Sequence, residues 1–157
     1  MIIFGYPGIG KSTLTHINKS GKYIDLESSL FKTNSDPYWY KTYGLVGQSL
    51  SEQRFDVLMS THPEVLSFLD TLTIDTKMII VPNISLRIEW IQMLEGRKDK
   101  TNKFKDKMAY LHVRDNFEKD VLSLKKYSER HKKNIIFVEV SEKYVDLAKI
   151  IEEAKVR

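Results

Sequence analysis

The chain has 157 residues, a formal net charge of +4 at neutral pH and a hydrophobic content of 41%. This length suits one domain and is too short to give a second domain its own core, and the composition excludes the disordered and collagen-like classes. The chain contains no cysteine, which excludes disulfides and thiolate metal sites, and no apolar stretch is long enough to span a membrane. We therefore expect a soluble, cytoplasmic, single-domain protein over residues 1–157, without a membrane partner.

Strand and helix patterns alternate along the chain. Short apolar runs bounded by turn residues predict buried strands over residues 1–4, 23–26, 55–59, 77–81 and 134–140. Apolar residues that recur every three or four positions predict helices over residues 12–18, 63–72, 86–94, 117–127 and 144–154. The alternation predicts an α/β fold of three layers, a five-stranded parallel sheet covered by helices on both faces, with ligands bound at the carboxyl ends of the strands.

Two stretches interrupt this alternation. Residues 31–53 are rich in Tyr, Trp, Gly and Ser, and a basic segment over about residues 96–115 begins after Gly96, where we expect a helix to end. Long connections in compact domains often bind ligands, so we expect an acceptor-binding insertion after the second strand and a lid after the fourth. A solvated helix face is the alternative for the basic segment, and nucleic-acid binding is a minor one, because no aromatic and basic module accompanies it.

A phosphate-binding loop is predicted over residues 5–12. The sequence Gly-Tyr-Pro-Gly-Ile-Gly-Lys-Ser follows a predicted strand and opens a predicted helix, as the Walker A pattern requires. Its glycines let backbone N–H groups turn toward phosphate oxygens, Lys11 supplies charge for the β and γ phosphates, and the Ser12 hydroxyl suits Mg²⁺. This pattern predicts binding of ATP, with a degenerate loop as the alternative. The predicted cofactor-binding residues are Gly5, Gly8, Ile9, Gly10, Lys11, Ser12 and Thr13.

Two carboxylates follow the second strand. Asp25 and Glu27 are two positions apart in an extended segment, so their side chains point to the same side. Asp25 lies within an apolar run, where an unpaired charge is unfavourable. Asp25 either takes the proton of a hydroxyl acceptor or helps Ser12 to position Mg²⁺, whereas a phosphate acceptor needs no base. We expect Asp25 to be catalytic and both carboxylates to contact the acceptor. A solvated surface pair is the alternative.

The third predicted strand does not end in the acidic residue that a conventional Walker B strand has. Asp56 lies at its beginning, the wrong end for a metal, and we expect it to be structural. Ser60 and His62 lie at the active edge, where they could contact an acceptor, although His62 before Pro63 equally suits a helix cap. Trp39 stands in an aromatic run that could hold a base or sugar, or that could form a small core under the loop.

Arginines could stabilise the negative charge of a transferred phosphoryl group. Arg87 follows the fourth predicted strand, Arg97 begins the basic segment, and Arg114 lies near its end. We expect Arg87 and Arg97 to be catalytic, with Arg97 on a lid that closes over ATP and excludes water. An exposed, solvated side chain is the alternative for each.

Together these motifs resemble the P-loop kinases of the nucleoside monophosphate kinase and shikimate or gluconate kinase group. More narrowly, residues 4–12, 24–29, 59–65 and 80–82 are similar to segments of small phage-encoded P-loop nucleotide kinases. The resemblance implies that the loop glycines, Lys11 and Ser12 hold ATP and Mg²⁺. It also implies that Asp25 corresponds to the acid of an Asp-x-Asp element, with Glu27 in place of the second Asp, and that Arg97 is a lid arginine.

From these observations we expect an ATP- and Mg²⁺-dependent phosphotransferase with the P-loop NTPase fold. The expected acceptor is a nucleoside or deoxynucleoside monophosphate. A hydroxyl acceptor, such as a nucleoside or a polynucleotide 5′ end, is one alternative, and an ATP-binding protein or ATPase without an acceptor is another. We expect a small-molecule nucleotide as partner and a monomer or homodimer, in the host cytoplasm if the chain is phage-encoded.

Overall fold

The computed structural model describes residues 1–157 and contains five strands and six helices. The strands are β1 (Ile2–Gly5), β2 (Tyr23–Asp25), β3 (Asp56–Ser60), β4 (Lys77–Pro82) and β5 (Ile135–Val140). The helices are α1 (Lys11–Ile17), α2 (Trp39–Glu52), α3 (Pro63–Leu72), α4 (Arg87–Thr101), α5 (Phe104–Arg130) and α6 (Leu147–Lys155). Two 3₁₀ turns, Ser28–Leu30 and Ile84–Leu86, precede α2 and α4. The five predicted strands are confirmed.

All five strands run parallel, in the order β2-β3-β1-β4-β5. β1 lies at the centre with every residue buried, which explains its continuous apolar sequence, since both faces of a parallel sheet are covered. At its carboxyl end, Gly5 pairs with Ser60 of β3 on one side and Ile80 of β4 on the other. The residues after Gly5 therefore leave from the middle of the sheet.

The connections divide the helices between the two faces of the sheet. The chain passes in one direction from β1 to β2 and in the opposite direction in every later step. Because such crossovers are right-handed, α1 lies on one face while α2, α3 and the pair α4 and α5 lie on the other, and α6 returns to contact α1. The predicted three-layer α/β architecture is confirmed. The helices that follow β1 and β3 lie on opposite faces of the sheet, and this leaves a crevice between the carboxyl ends of the two strands.

The prediction of an insertion over residues 31–53 is wrong for most of that stretch. Residues 39–52 form α2, the crossover helix that two parallel strands require, and only residues 31–38 connect it to β2 without a helix. The glycines that suggested a loop instead allow close packing. A Cβ on Gly47 would collide with the side chain of Met59 in β3, and one on Gly44 would lie 3.0 Å from the ring of Phe68 in α3.

The predicted helix end at Gly96 is also wrong. α4 continues through this glycine to Thr101, Asn102 turns the chain with a φ of 52°, and α5 begins at Phe104. Glycine costs about 1 kcal/mol in a helix interior, and packing of α4 against α5 offsets this. The basic segment over residues 96–115 is thus the tip of a helical hairpin. None of the helices is both long and apolar enough to cross a membrane.

Candidate functional site

The loop after β1 has the backbone geometry of an anion-binding turn. Gly8 and Gly10 have φ values of 89° and 107°, in the left-handed region that favours glycine. Gly10 immediately precedes α1, whose first turn contains no acidic residue and whose amino end carries no side-chain cap. The N–H groups of Gly8 and of residues 10–13 make no hydrogen bond within the protein and are available to phosphate oxygens, whereas the N–H of Ile9, also predicted to bind the cofactor, donates to the carbonyl oxygen of Tyr6 at 3.0 Å.

Helix α4 holds this loop from outside. The indole Nε1 of the buried Trp90 donates a hydrogen bond to the carbonyl oxygen of Pro7 at 2.8 Å. A Cβ on Gly8 would lie 2.8 Å from Cε of Met93 and 3.1 Å from Nε1 of Trp90. Gly8 is thus needed for both its backbone conformation and its contact with α4. The sequence patterns did not indicate this role of Trp90, because nothing local relates residue 90 to residue 7.

Lys11 lies inside the loop. Its Nζ donates to the carbonyl oxygen of Gly5 at 2.6 Å. Burial and, to a smaller degree, the charge of Arg97 lower the pKa of Lys11, the charges of Asp25 and Glu27 raise it, and the net result is a pKa of about 8. The three charged groups predicted from separate parts of the sequence are thus close enough to Lys11 to influence its ionisation.

Ser12 and Asp25, the two predicted metal residues, are in contact. The Ser12 hydroxyl donates to Oδ2 of Asp25 at 3.1 Å. Burial raises the pKa of Asp25, while the Lys11 charge and the Ser12 hydrogen bond lower it. No group of three or more His, Asp or Glu side chains lies close enough together to hold a metal ion. Mg²⁺ at this position would fit a site of one hydroxyl and one carboxylate, completed by nucleotide oxygens and water, as Mg²⁺ prefers.

The tip of the helical hairpin reaches over the site. Nζ of Lys105, in the first turn of α5, lies 2.9 Å from Oε1 of Glu27, which follows β2. On α4, Nε and Nη2 of Arg97 lie 2.9 Å and 2.8 Å from Oδ1 of Asp106. The hairpin thus closes the site with an ion pair to the sheet edge.

Asp106 orients Arg97. Its carboxylate is only 3% exposed and accepts a further hydrogen bond from the Thr101 hydroxyl. Burial raises the pKa of Asp106, but the Thr101 hydrogen bond and the Arg97 charge outweigh burial and lower the pKa below its usual value. An ionised, buried partner fixes the direction of the Arg97 guanidinium, which the sequence did not indicate.

The predicted acceptor residues surround a second side of the crevice. Trp39 is only 8% exposed and packs edge-on against His62, with 5.0 Å between ring centroids. Burial lowers the pKa of His62 to about 4, so this side chain is neutral at pH 7. His62 is the first residue before α3, but its side chain makes no capping hydrogen bond. Trp39 offers little ring surface for stacking, which favours the alternative of a small aromatic core over the predicted acceptor contact.

Ser60 contributes its backbone to this side of the crevice. Its N–H donates at 2.9 Å to the hydroxyl of Tyr43, which in turn donates to the carbonyl oxygen of Leu26 at 2.7 Å. Burial raises the pKa of Tyr43 to about 12. One fully buried tyrosine from α2 therefore ties the end of β2 to the end of β3. No local pattern in the sequence indicates this link.

No family model matches the chain, and no curated protein is significantly similar to it.

Three predicted or considered residues lie outside this group. Arg87, expected to be catalytic, is the exposed first residue of α4, without an ion pair or side-chain hydrogen bond, and lies about 15 Å along the helix from Arg97. Arg114 pairs with its neighbour Asp115. Asp56 lies at the opposite end of the sheet, where it pairs with the terminal ammonium group and Lys155, in agreement with a structural role. Because α4 is continuous between the two arginines, Arg87 lies apart from Arg97, and only Arg97 is close enough to Lys11 to influence its pKa.

Proposed function

We propose that this protein is an ATP- and Mg²⁺-dependent phosphotransferase with a P-loop NTPase fold. One observation carries the proposal. A loop with two left-handed glycines leaves the centre of a parallel sheet, leads into a helix, and places Lys11 and the hydrogen-bonded pair Ser12 and Asp25 at the carboxyl edge of the sheet. Phosphate groups bind to such loops, and ligands bind at this edge of open α/β sheets.

Each residue has a separate task in phosphoryl transfer. Backbone N–H groups of Gly8 and of residues 10–12 would bind the β and γ phosphates, and Lys11 would leave Gly5 to contact them. Ser12 and Asp25 fit the Mg²⁺ that neutralises charge between the two phosphates. Arg97, oriented by Asp106, would stabilise the negative charge on the transferred group while the hairpin excludes water.

The acceptor that we propose first is a nucleoside or deoxynucleoside monophosphate. The hairpin brings Arg97 and Lys105 over the crevice, and positive charge there suits an acceptor that is itself anionic. We expect the chain to act on small-molecule nucleotides as a monomer or homodimer in the cytoplasm.

One observation favours a hydroxyl acceptor as the second candidate. Burial raises the pKa of Asp25 and so makes its carboxylate a better proton acceptor than an exposed one, at hydrogen-bond distance from Ser12 and close to Lys11. Such a base is needed for a nucleoside or polynucleotide 5′-hydroxyl and not for a phosphate.

Phosphate transfer from labelled ATP tests both candidates. The acceptors are the common nucleoside monophosphates, their deoxy forms, the matching nucleosides and an oligonucleotide with a free 5′-hydroxyl. We expect a labelled diphosphate product that requires Mg²⁺ and is lost in Lys11→Met. Asp25→Asn should retain part of the activity on a monophosphate but abolish transfer to a hydroxyl. Binding of ATP that is equal in the wild type and Lys11→Met, with no transfer to any acceptor, would refute the proposal.

A further inference from the structure

A second polar cluster joins the phosphate loop to α5. The hydroxyl of the buried Tyr6 donates to Oδ2 of Asp120 at 3.0 Å, and Nε2 of His112 lies 2.8 Å from the same oxygen. The ring of Tyr6 also packs edge-on against Phe117, with 5.9 Å between centroids. The contacts of Tyr6 with Asp120 and Phe117 hold the Asp120 carboxylate in place. The hydrogen bond to this carboxylate in turn gives His112 a defined orientation, although its side chain is 55% exposed.

Helix geometry places His112 above the carboxyl edge of the sheet. α3 and α5 run in the same direction and are joined near their ends by the hydrogen bond from Tyr127 to Asp70. His62 lies eight residues before Asp70, or about 12 Å along the helix, and His112 lies fifteen residues before Tyr127, or about 22 Å. The first part of α5 therefore extends about 10 Å beyond the start of α3, past the carboxyl edge of the sheet.

His112 also shares a helix face with Lys105. Seven residues, or about two turns, separate the two side chains, and Nζ of Lys105 points across the crevice to Glu27. Met108, 47% exposed, lies between them on the same face. His62 lies on the opposite wall of the crevice. The two histidines are close enough that the charge of His112 lowers the pKa of His62. His112 thus faces the side of the crevice where the predicted acceptor residues lie.

The hydrogen bonds of His112 leave one ring nitrogen for a ligand. Nε2 is next to the Asp120 carboxylate, and because a carboxylate only accepts hydrogen bonds, the tautomer that pairs with it has its proton on Nε2, whereas Nδ1 makes no hydrogen bond. When Nδ1 is protonated as well, the ring offers an N–H donor and a positive charge to an anion. We propose that His112 binds the phosphate monoester of the acceptor and is a specificity-determining residue, with Asp120 and Tyr6 as its positioning residues. This inference rests on the proposed function and names the group of the acceptor that is recognised.

A similar cluster on the same helix shows what a purely structural one looks like. His131, near the end of α5, is stacked on Tyr127 and lies 3.5 Å from Asp70 through Nε2. Its Nδ1 is already within 2.9 Å of the carbonyl oxygen of Tyr127. Both ring nitrogens of His131 have partners in the protein, far from the crevice, so His131 is a matched control for His112.

Steady-state kinetics with three variants test the proposal. We expect His112→Gln to raise KM for the best monophosphate acceptor about 10- to 100-fold, the effect of losing a charge-assisted hydrogen bond, while KM for MgATP changes less than about twofold. His112→Arg should restore most of the acceptor affinity, because it returns a positive donor. His131→Gln should leave both constants unchanged. An unchanged acceptor KM in His112→Gln, equal increases in both KM values, or no recovery in His112→Arg would overturn the assignment.

A binding measurement separates this inference from the proposed function. Nuclear magnetic resonance of histidine-labelled protein is recorded during titration with each common nucleoside monophosphate and with the matching nucleoside. We expect the Cε1–H signal of His112 to shift with a monophosphate and not with its nucleoside, while that of His131 stays fixed. A shift without phosphate transfer would refute the proposed function alone. Transfer to a monophosphate without a His112 shift would refute the inference alone.

Discussion

Replacement of Gly8 by alanine tests whether α4 shapes the phosphate loop. Gly8 has a φ of 89°, and a non-glycine residue in the left-handed region costs about 1–2 kcal/mol. The new Cβ would also lie 2.8 Å from Met93 Cε and 3.1 Å from Trp90 Nε1, and overpacking of this kind costs about 1–3 kcal/mol. The free energy of unfolding of Gly8→Ala should therefore fall by about 2–5 kcal/mol.

Two other glycines separate the two contributions. Gly21 has a φ of 75° in an exposed turn far from the loop, and a Cβ there would meet no atom within 4 Å, so Gly21→Ala should cost only the backbone strain. Gly10 has a φ of 107° and equally open surroundings, so Gly10→Ala should match Gly21→Ala in stability but lose nucleotide binding. Urea denaturation with and without MgATP measures both effects, since a bound ligand raises the midpoint. If Gly8→Ala is no less stable than Gly21→Ala, contact with α4 does not constrain the loop.

Three further predictions each concern a single residue. Tyr43→Phe leaves the N–H of Ser60 and the carbonyl of Leu26 without their partner, so the free energy of unfolding in urea should fall by about 1–3 kcal/mol. Tyr38→Phe, at a residue 59% exposed, is the control and should change nothing. Because the pKa of Lys11 is about 8 and ATP binds its charged form, ATP affinity should decrease as pH rises above 8, by up to about tenfold per unit, and this dependence should be absent in Lys11→Met. Gly96→Ala should stabilise the protein by about 0.5–1 kcal/mol, because Gly96 is exposed within α4, and a destabilised variant would contradict a continuous helix there.

The turn that joins a strand to a helix over residues 5–12, and the strands themselves, could be predicted because their signals are local. Residues 5–12 carry their pattern within eight positions, and the strands are short, mainly apolar runs, most clearly β1 and β4, in which every residue is buried. The sequence also predicted that Asp25, Ser60 and His62 lie at one edge of the sheet, because each is at or after the end of a strand and the carboxyl ends of parallel strands meet at one edge.

Errors arose where a local signal had two meanings. In the sequence, Gly44 and Gly47 indicate a loop, although their lack of a side chain lets α2 approach β3 and α3. Gly96 indicates a helix end, although α4 packs against α5 and continues past it. In both cases the competing helix is stabilised by contacts with residues distant in sequence.

The alternating α/β fold, the glycine-rich turn before α1 and the charged residues after the strands are all visible in the sequence, because each depends on neighbours along the chain. Which of these residues lie in contact depends on packing between distant segments and is visible only in the folded chain. Trp90 reaches Pro7, Lys105 reaches Glu27, and His112 is tied through Asp120 to Tyr6. Trp90 and Pro7 are 83 residues apart in the sequence, Lys105 and Glu27 are 78 apart, and Tyr6 and Asp120 are 114 apart. Tertiary packing therefore brings these residues into contact.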